Sequence, residues 1–406
     1  MDRTCRRLVL KRLKGLRGVI RIEDTCGSKI LGSQSDITAH IVVHHMSFYS
    51  DLVLRGSLGA ATSWMEEAWD SPDLTTVFAL FARNPQLTDD FDNGWARLSS
   101  WIARILHARR LNSRLGSQRN IADHYDLGNE LFSLFLDSGL NYSSAVFNSC
   151  DDSLEQAARN KLERVCTKLA LRPGMHILEI GCGWGGFIVH AAREHGCRVT
   201  GITISQKQYE YTQARVIHEG LADQVEVLLC DYRDHRGAYD RVVSIEMIEA
   251  VGHEFLGTFF EHASKLTRDD GLLLLQAIAM PDQRYADYLK NCDFIQRYIF
   301  PGSCIPSLSA MIDAMRNQTD LKLVHLEDIG PHYARTLRTW RDAFNVCRTD
   351  IVALGYSERF IRLWQYYFCY CEAGFSERYL SDLQIVMARP DWRGTVGCDA
   401  LPILKS

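Results

Sequence analysis

The stretch His176-Ile-Leu-Glu-Ile-Gly-Cys-Gly-Trp-Gly-Gly-Phe187 limits the folds open to this chain more than any other part of it. Its apolar Ile177, Leu178 and Ile180 read as a buried parallel strand. Gly181, Gly183 and Gly186 follow, where the chain must turn sharply into a helix. Glycines let a ligand lie against bare backbone, and the new helix offers unpaired N–H groups to polar or anionic atoms. A strand-to-helix turn with no ligand would carry the same glycines, because Gly-x-Gly-x-x-Gly alone is a weak signal.

The neighbouring residues narrow the ligand. No Gly-Lys-Ser or Gly-Lys-Thr follows Gly186, so the loop does not read as a phosphate grip. A dinucleotide site expects an acidic residue about 20 positions on, for the ribose hydroxyls. That position falls in the apolar run Arg198 to Ser205, which no carboxylate ends. Glu179 instead stands just before the glycines, where a carboxylate can meet the cationic amino-acid part of S-adenosylmethionine. A ligand with a sulfonium and an α-amino group, and no pyrophosphate, suits this arrangement better than NAD.

After Ile121 the elements alternate regularly. Apolar runs at Ile177 to Ile180, Val199 to Ile204, Val225 to Leu229, Arg241 to Ile245 and Leu272 to Ala279 are separated by helix-like segments. This predicts an α/β chain with a doubly wound parallel sheet and a ligand at the carboxyl ends of its strands. Two later runs, Leu321 to Leu326 and Leu383 to Ala388, would complete the sheet. Aromatic insertions at Tyr285 to Gly302 and Phe360 to Phe375 suit either a core or a lid with an oily interior.

The length of 406 residues suits two domains. The net charge of -4 argues against a dedicated nucleic-acid binder. Thirteen cysteines without Cys-x-x-Cys spacing indicate neither a disulfide framework nor a zinc site, so no metal is expected and a reduced cytosol is the simplest home. No run of about 18 apolar residues spans a bilayer, and the N-terminus lacks a signal-peptide core. The first stretch alternates Arg3, Arg6, Arg7, Lys11, Arg12, Lys14 and Arg17 with Leu8, Leu10, Leu13 and Leu16. It reads equally as an amphipathic helix on anionic headgroups or as a solvated arm. Arg104, Arg109, Arg110, Arg114 and Arg119 form either a solvated face or a phosphate-facing patch.

The glycine stretch, Tyr125-Asp-Leu-Gly-Asn129, Tyr142-Ser-Ser144, Thr203-Ile-Ser-Gln-Lys-Gln208, Asp231-Tyr-Arg-Asp234 and Glu249-Ala-Val-Gly252 together resemble the cyclopropane-fatty-acyl-phospholipid synthases. These are S-adenosylmethionine-dependent enzymes acting on double bonds of lipid acyl chains. The resemblance runs from about Met46 to Arg389. It implies a class I methyltransferase Rossmann-like sheet with an antiparallel last hairpin and helical, aromatic lid insertions. It also implies a small N-terminal α+β domain at 1–87, a helical linker at 88–120 and the catalytic domain at 121–406. Peripheral contact with a phospholipid membrane from the cytoplasm is expected with it, and a homodimer is allowed.

For the cofactor the resemblance carries over Tyr142, Ser143, Glu179, Gly181, Cys182, Gly183, Gly185, Thr203, Ser205, Gln208, Asp231 and Tyr232. Asp231 would equally cap a turn after its strand. Similar enzymes hold a bicarbonate with a cysteine, a glutamate, a histidine and a tyrosine. Glu249 and Tyr333 match two of these, whereas Ser144 stands for the cysteine, Gln276 for the histidine, and Glu246 where the pattern has glycine. Bicarbonate would still bind, or Glu249 or Glu246 would act as base, or a methylene or methyl-branched chain would replace the ring. Cys371 matches a cysteine long assigned as the active-site residue, although methyl transfer to an alkene needs no thiolate. His124 would orient the entry segment or serve structure alone.

An isolated alkene is a weak nucleophile, so such a site must align it with the sulfonium methyl, exclude water and accept one proton. The expected function is therefore methyl(ene) transfer to cis-unsaturated phospholipid chains. A methyltransferase acting on a small soluble acceptor such as an amine is the alternative. A cofactor-binding protein without catalysis is a third reading, raised by the absent cysteine and histidine.

Overall fold

The computed structural model describes residues 1–92 and 128–396. His124, Tyr125 and the arginines between 104 and 119 lie outside them. Two compact units emerge and they do not follow chain order. One gathers residues 1–92, 286–301 and 337–379, and the other gathers 128–285, 302–336 and 380–396.

In the first unit, helix α1 (Asp2–Leu13) precedes a three-stranded antiparallel sheet of β1 (Arg17–Asp24), β2 (Gly27–Val43) and the short β3 (Trp69–Asp70). Two helices, α2 (Ser47–Met65) and α3 (Leu74–Ala82), follow, and Asp73 caps α3 by accepting from the Thr76 N–H at 3.0 Å. The basic leading stretch is a helix, but its apolar side is not free to meet lipid. Cys5, Val9 and Leu13 are buried, and Arg6 pairs with Asp24 at 2.6 Å. The exposed side carries Arg3, Arg7, Lys11, Arg12 and Lys14, with Leu8 47% exposed among them.

Both aromatic insertions fold into this unit, although chain order placed them within the catalytic segment 121–406. Ring contacts are the physical reason. Phe294 lies 4.5 Å from Tyr366, and Phe78 of α3 lies 4.7 Å from Tyr366 and 5.5 Å from Tyr370. Trp64 packs edge-on against Trp69 at 5.1 Å, and Arg362 of the helix Glu358–Ser376 donates to the Trp64 carbonyl at 2.7 Å.

The second unit is built on a seven-stranded sheet. Its strands are β4 (His176–Ile180), β5 (Arg198–Thr203), β6 (Val225–Leu229), β7 (Tyr239–Ile245), β8 (Thr267–Ala279), β9 (Lys322–Asp328) and β10 (Ser381–Ala388), in spatial order β6-β5-β4-β7-β8-β10-β9. β6, β5, β4, β7 and β8 run parallel, while β10 is antiparallel to both β8 and β9. This is the doubly wound sheet with a closing hairpin that the resemblance implied. Helices cover both faces: α4 (Leu154–Lys168), α5 (Gly186–His195) and α6 (Gln206–His218), then α7 (Leu256–Leu266) and α8 (Leu308–Gln318). Leu272, Leu273, Leu274 and Leu275 are accordingly all fully buried, as expected for a strand enclosed on both faces. The chain reverses direction across the sheet at β4, with β5 on one side and β7 on the other, which opens a crevice at the strand ends.

The turn after β4 is held from α6. The Thr212 hydroxyl donates to the Gly183 carbonyl at 2.9 Å, and Arg215 Nη1 donates to the Trp184 carbonyl at 3.1 Å. Gly185 is left-handed (φ 85°), and a Cβ there would meet Thr212 Cγ2 at 2.7 Å. Gly185→Ala should therefore destabilise the protein by about 1–3 kcal/mol in urea unfolding. Adding Thr212→Ser, which removes Cγ2 and keeps the hydroxyl, should recover the steric part and leave the backbone part.

Candidate active site

The carboxyl ends of β4, β5, β7 and β8 bring the candidate residues of the second unit together. Gly183 has φ 53°, and a Cβ on it would meet no protein atom within 4 Å, so this face of the loop stays open to a ligand. Glu179, near the end of β4, is only 3% exposed, and its Oε2 has no hydrogen-bond partner. Burial pushes its carboxyl up to about 8, opposed by the charge of Lys161. A deeply buried, unpartnered carboxylate oxygen beside an open glycine turn fits the ammonium of an amino-acid group.

Thr203, Ser205 and Gln208 form one local network at the end of β5. Ser205 caps α6 by accepting from the Gln208 N–H at 3.3 Å, and the Thr203 hydroxyl donates to the Gln208 side-chain carbonyl at 2.9 Å. Tyr142 lies edge-on to Phe132 at 5.3 Å, and Phe132 lies 5.0 Å from Trp184 of the loop. Trp184 in turn donates to the Asn129 side chain at 2.8 Å, so the described end of the Tyr125 to Asn129 motif anchors the loop.

Three expected cofactor residues have other engagements. Cys182 points into the core, where a Cβ on Gly201 would meet its Sγ at 3.2 Å, and its N–H donates to the Ile202 carbonyl. The Asp231 carboxylate is held by Arg233, through Nε at 2.9 Å and the backbone N–H at 3.0 Å, which is the turn-capping arrangement. Tyr232 packs edge-on against Phe259 at 5.6 Å, and burial pushes its phenol up to about 12.

Around β7 the outcome differs from the bicarbonate pattern. Ser144, Gln276 and Tyr333 do converge, and they converge on the carboxylate of Glu246. Its Oε1 accepts from the Ser144 N–H and from Gln276 Nε2, both at 2.7 Å, and its Oε2 accepts from the Tyr333 hydroxyl at 2.6 Å. Gln276 Nε2 also donates to Asp382 at 3.0 Å, and its carbonyl end accepts from Gln384 at 3.0 Å. Glu249 stands apart from this set: its Oε1 accepts from the Ile278 N–H at 2.6 Å, its Oε2 has no partner, and burial followed by the charge of Glu246 pushes it up to about 8. With its donors already engaged by Glu246, this cluster does not fit bicarbonate, which would also bring a second anion against a buried one.

Glu246 has φ 48°, a left-handed conformation costing about 1–2 kcal/mol for a residue with a Cβ, at the position where the resembling enzymes have glycine. Burial raises its carboxyl, and the bonds from Tyr333 and Ser144 oppose that. Asp382 is driven well up by burial and then by the charges of Glu246 and Glu249.

Lys161 completes the site and was not singled out from the sequence. It is 1% exposed, and its Nζ donates to the Ser143 hydroxyl at 3.0 Å. Burial lowers its ammonium, while Glu246, Asp137, Glu179 and Asp382 sustain it. The available signal was a lysine on the apolar face of α4, at helical spacing with Ala158, Leu162 and Val165. Cys371 lies in the first unit, where burial and then Asp293 hold its thiol far above the usual range, so it carries no thiolate.

The chain has relatives among known proteins. The family described as mycolic acid cyclopropane synthetase matches residues 112–385. The tuberculostearic acid methyltransferase UfaA1 of Mycobacterium tuberculosis is 38% identical, over 82% of this chain and 79% of its own. The cyclopropane-fatty-acyl-phospholipid synthase of Escherichia coli strain K12 is 35% identical, over 86% of this chain and 88% of its own. The crystal structure of the mycolic acid cyclopropane synthase CmaA1 complexed with SAH and CTAB has TM-score 0.63 and 31% identity, and covers 67% of this chain and 98% of that one.

Glu179 must release a proton to meet a cationic group. The dissociation constant for S-adenosylmethionine should therefore fall as pH rises from about 6 toward about 8, by up to about tenfold per unit. Calorimetric titration across that range checks it, and Glu179→Gln should flatten the dependence.

Proposed function

The chain belongs to the mycolic acid cyclopropane synthetase family, and on that premise we propose that it modifies the cis double bonds of phospholipid acyl chains, with Glu246 as the proton acceptor. It is an S-adenosylmethionine-dependent methyltransferase of lipid acyl chains. The phospholipid substrate and the roles of individual residues are the proposed part. The observation that carries the reading is the cradle of Ser144, Gln276 and Tyr333 around the Glu246 carboxylate.

S-adenosylmethionine supplies an electrophilic methyl group on a sulfonium. Glu179 would hold the amino-acid end, the Gly181 to Gly185 turn would present bare backbone to the ligand, and Gln208, its carbonyl end fixed by Thr203, would offer its amide end to the ribose. Lys161 holds the Ser143 hydroxyl, and so the Tyr142 to Ser144 segment, while supplying the positive charge that keeps Glu246 ionised. The alkene of the acyl chain takes up the methyl and is left cationic. Glu246 then takes a proton from the added methyl, and either a cyclopropane ring or a methylene branch results. Removal from water makes Glu246 a stronger base than a solvated carboxylate, and Tyr333 orients it.

The division at 1–87, 88–120 and 121–406 is proposed as the functional one, with the small first segment serving the lipid. Among the described residues no helix is long and apolar enough to cross a membrane. The exposed basic side of α1 is proposed to meet anionic headgroups peripherally, at the cytoplasmic surface. The aromatic cluster of Phe78, Phe294, Tyr366 and Tyr370, in which Phe294 and Tyr366 are buried, is apolar packing of the kind that suits an acyl chain.

Glu246→Gly restores the glycine of the related pattern and removes the base. It should lower product formation at least about a hundredfold, and added bicarbonate should restore part of it while leaving the unaltered enzyme indifferent. A Glu246→Gly variant as active as the parent would overturn the role. Incubation with unsaturated phosphatidylglycerol vesicles and S-adenosylmethionine should add one methylene to the lipid. Gas chromatography with mass spectrometry of the released fatty acids separates ring, methylene and branched products, and turnover of free amines with none of lipid would replace this substrate class.

A further inference from the structure

On the helical layer of the second unit, one side-chain cluster serves neither the cofactor site nor the proton acceptor. The ligand atoms of Cys166, His190 and His195 all lie within 4.8 Å of one another. Glu163 joins them: its Oε2 lies 3.2 Å from His190 Nε2 and 3.0 Å from His195 Nε2. We propose that Glu163, Cys166, His190 and His195 bind a divalent transition-metal ion of the zinc type.

Two helices build the cluster. Glu163 and Cys166 are three residues apart on α4 and so share one face. His190 and His195 come from α5, which Gly196 ends in a left-handed cap directly after His195. Cys166 is fully buried, the side chains of His190 and His195 are 14% and 19% exposed, and Glu163 is half exposed. One sulfur, two imidazole nitrogens and a carboxylate oxygen form a donor set that zinc accepts in tetrahedral geometry. Bonds of about 2.0–2.3 Å at tetrahedral angles place neighbouring ligand atoms about 3.3–3.7 Å apart, so the spacing of the cysteine and two histidines needs to close by up to about 1 Å, while Glu163 already lies near that distance from both histidines. Such movement lies within side-chain rotation. Glu163 and His190 also line a groove of 860 Å³, which gives an ion a path from solvent.

The absence of Cys-x-x-Cys spacing hid this set, because its members pair across helices and not along one turn. A metal here would tie the end of α5 to α4. The start of α5 carries the glycine turn and α4 carries Lys161, so the ion would brace the two helices that form the cofactor site.

The test uses full-length protein stripped with a chelator and titrated with Co²⁺, then Zn²⁺. One equivalent of Co²⁺ should bind with a thiolate-to-cobalt charge-transfer band that Zn²⁺ displaces, and Zn²⁺ should raise the melting temperature. Cys166→Ser should lose the band and the thermal shift. His195→Ala should weaken Co²⁺ binding at least tenfold, and Cys150→Ser, at an exposed cysteine, should change neither. Circular dichroism establishes that each variant is folded, and His190→Gln is a second ligand change should His195→Ala unfold. A folded parent without the band, or a band that survives Cys166→Ser, overturns the site and leaves an ion pair between Glu163 and two histidines.

Discussion

A carboxylate withdrawn from water governs the second unit. The Glu246 carboxyl is accommodated in the interior because Ser144, Gln276 and Tyr333 aim donors at it and Lys161 supplies positive charge. Each of these groups comes from a different element. The packing of α4 against the sheet, the pairing of β8 with β10 and the start of the helix Gly330–Val346 are all conditions of that one charge. Its left-handed backbone adds to the demand.

The same interior explains why the cofactor side and the proton-accepting side are linked. Lys161 lies among Glu179, which faces the glycine turn, and Glu246, which faces Tyr333. Burial pushes the carboxyls of Glu179 and Glu249 up to about 8, the charge of Lys161 opposing it at Glu179 and that of Glu246 adding to it at Glu249.

Within the family, the relatives' names span cyclopropane formation on two kinds of lipid and methylation to tuberculostearic acid. On the role proposed for Glu246, a proton acceptor built into the chain is a physical basis for different outcomes on one scaffold. Where the base sits relative to the added methyl decides which carbon–carbon bond forms as the proton leaves.

Much was legible in the residues alone. The apolar runs marked all seven strands of the large sheet, and the enclosed parallel ones most clearly, because a strand covered on both faces must be continuously apolar. The glycines located the open turn after β4, because a left-handed loop needs residues without a Cβ and so leaves a local pattern. Ser144, Gln276 and Tyr333 were legible as a set, but what they hold was not. That Glu246 fills their midst, that Asp231 is taken by Arg233 and that the aromatic insertions join the first unit are matters of distance between residues far apart in the chain. A linear pattern records which faces must be buried; only the folded chain decides which buried groups meet, because side-chain hydrogen bonds and charges act over a few ångströms and carry no signature of sequence separation.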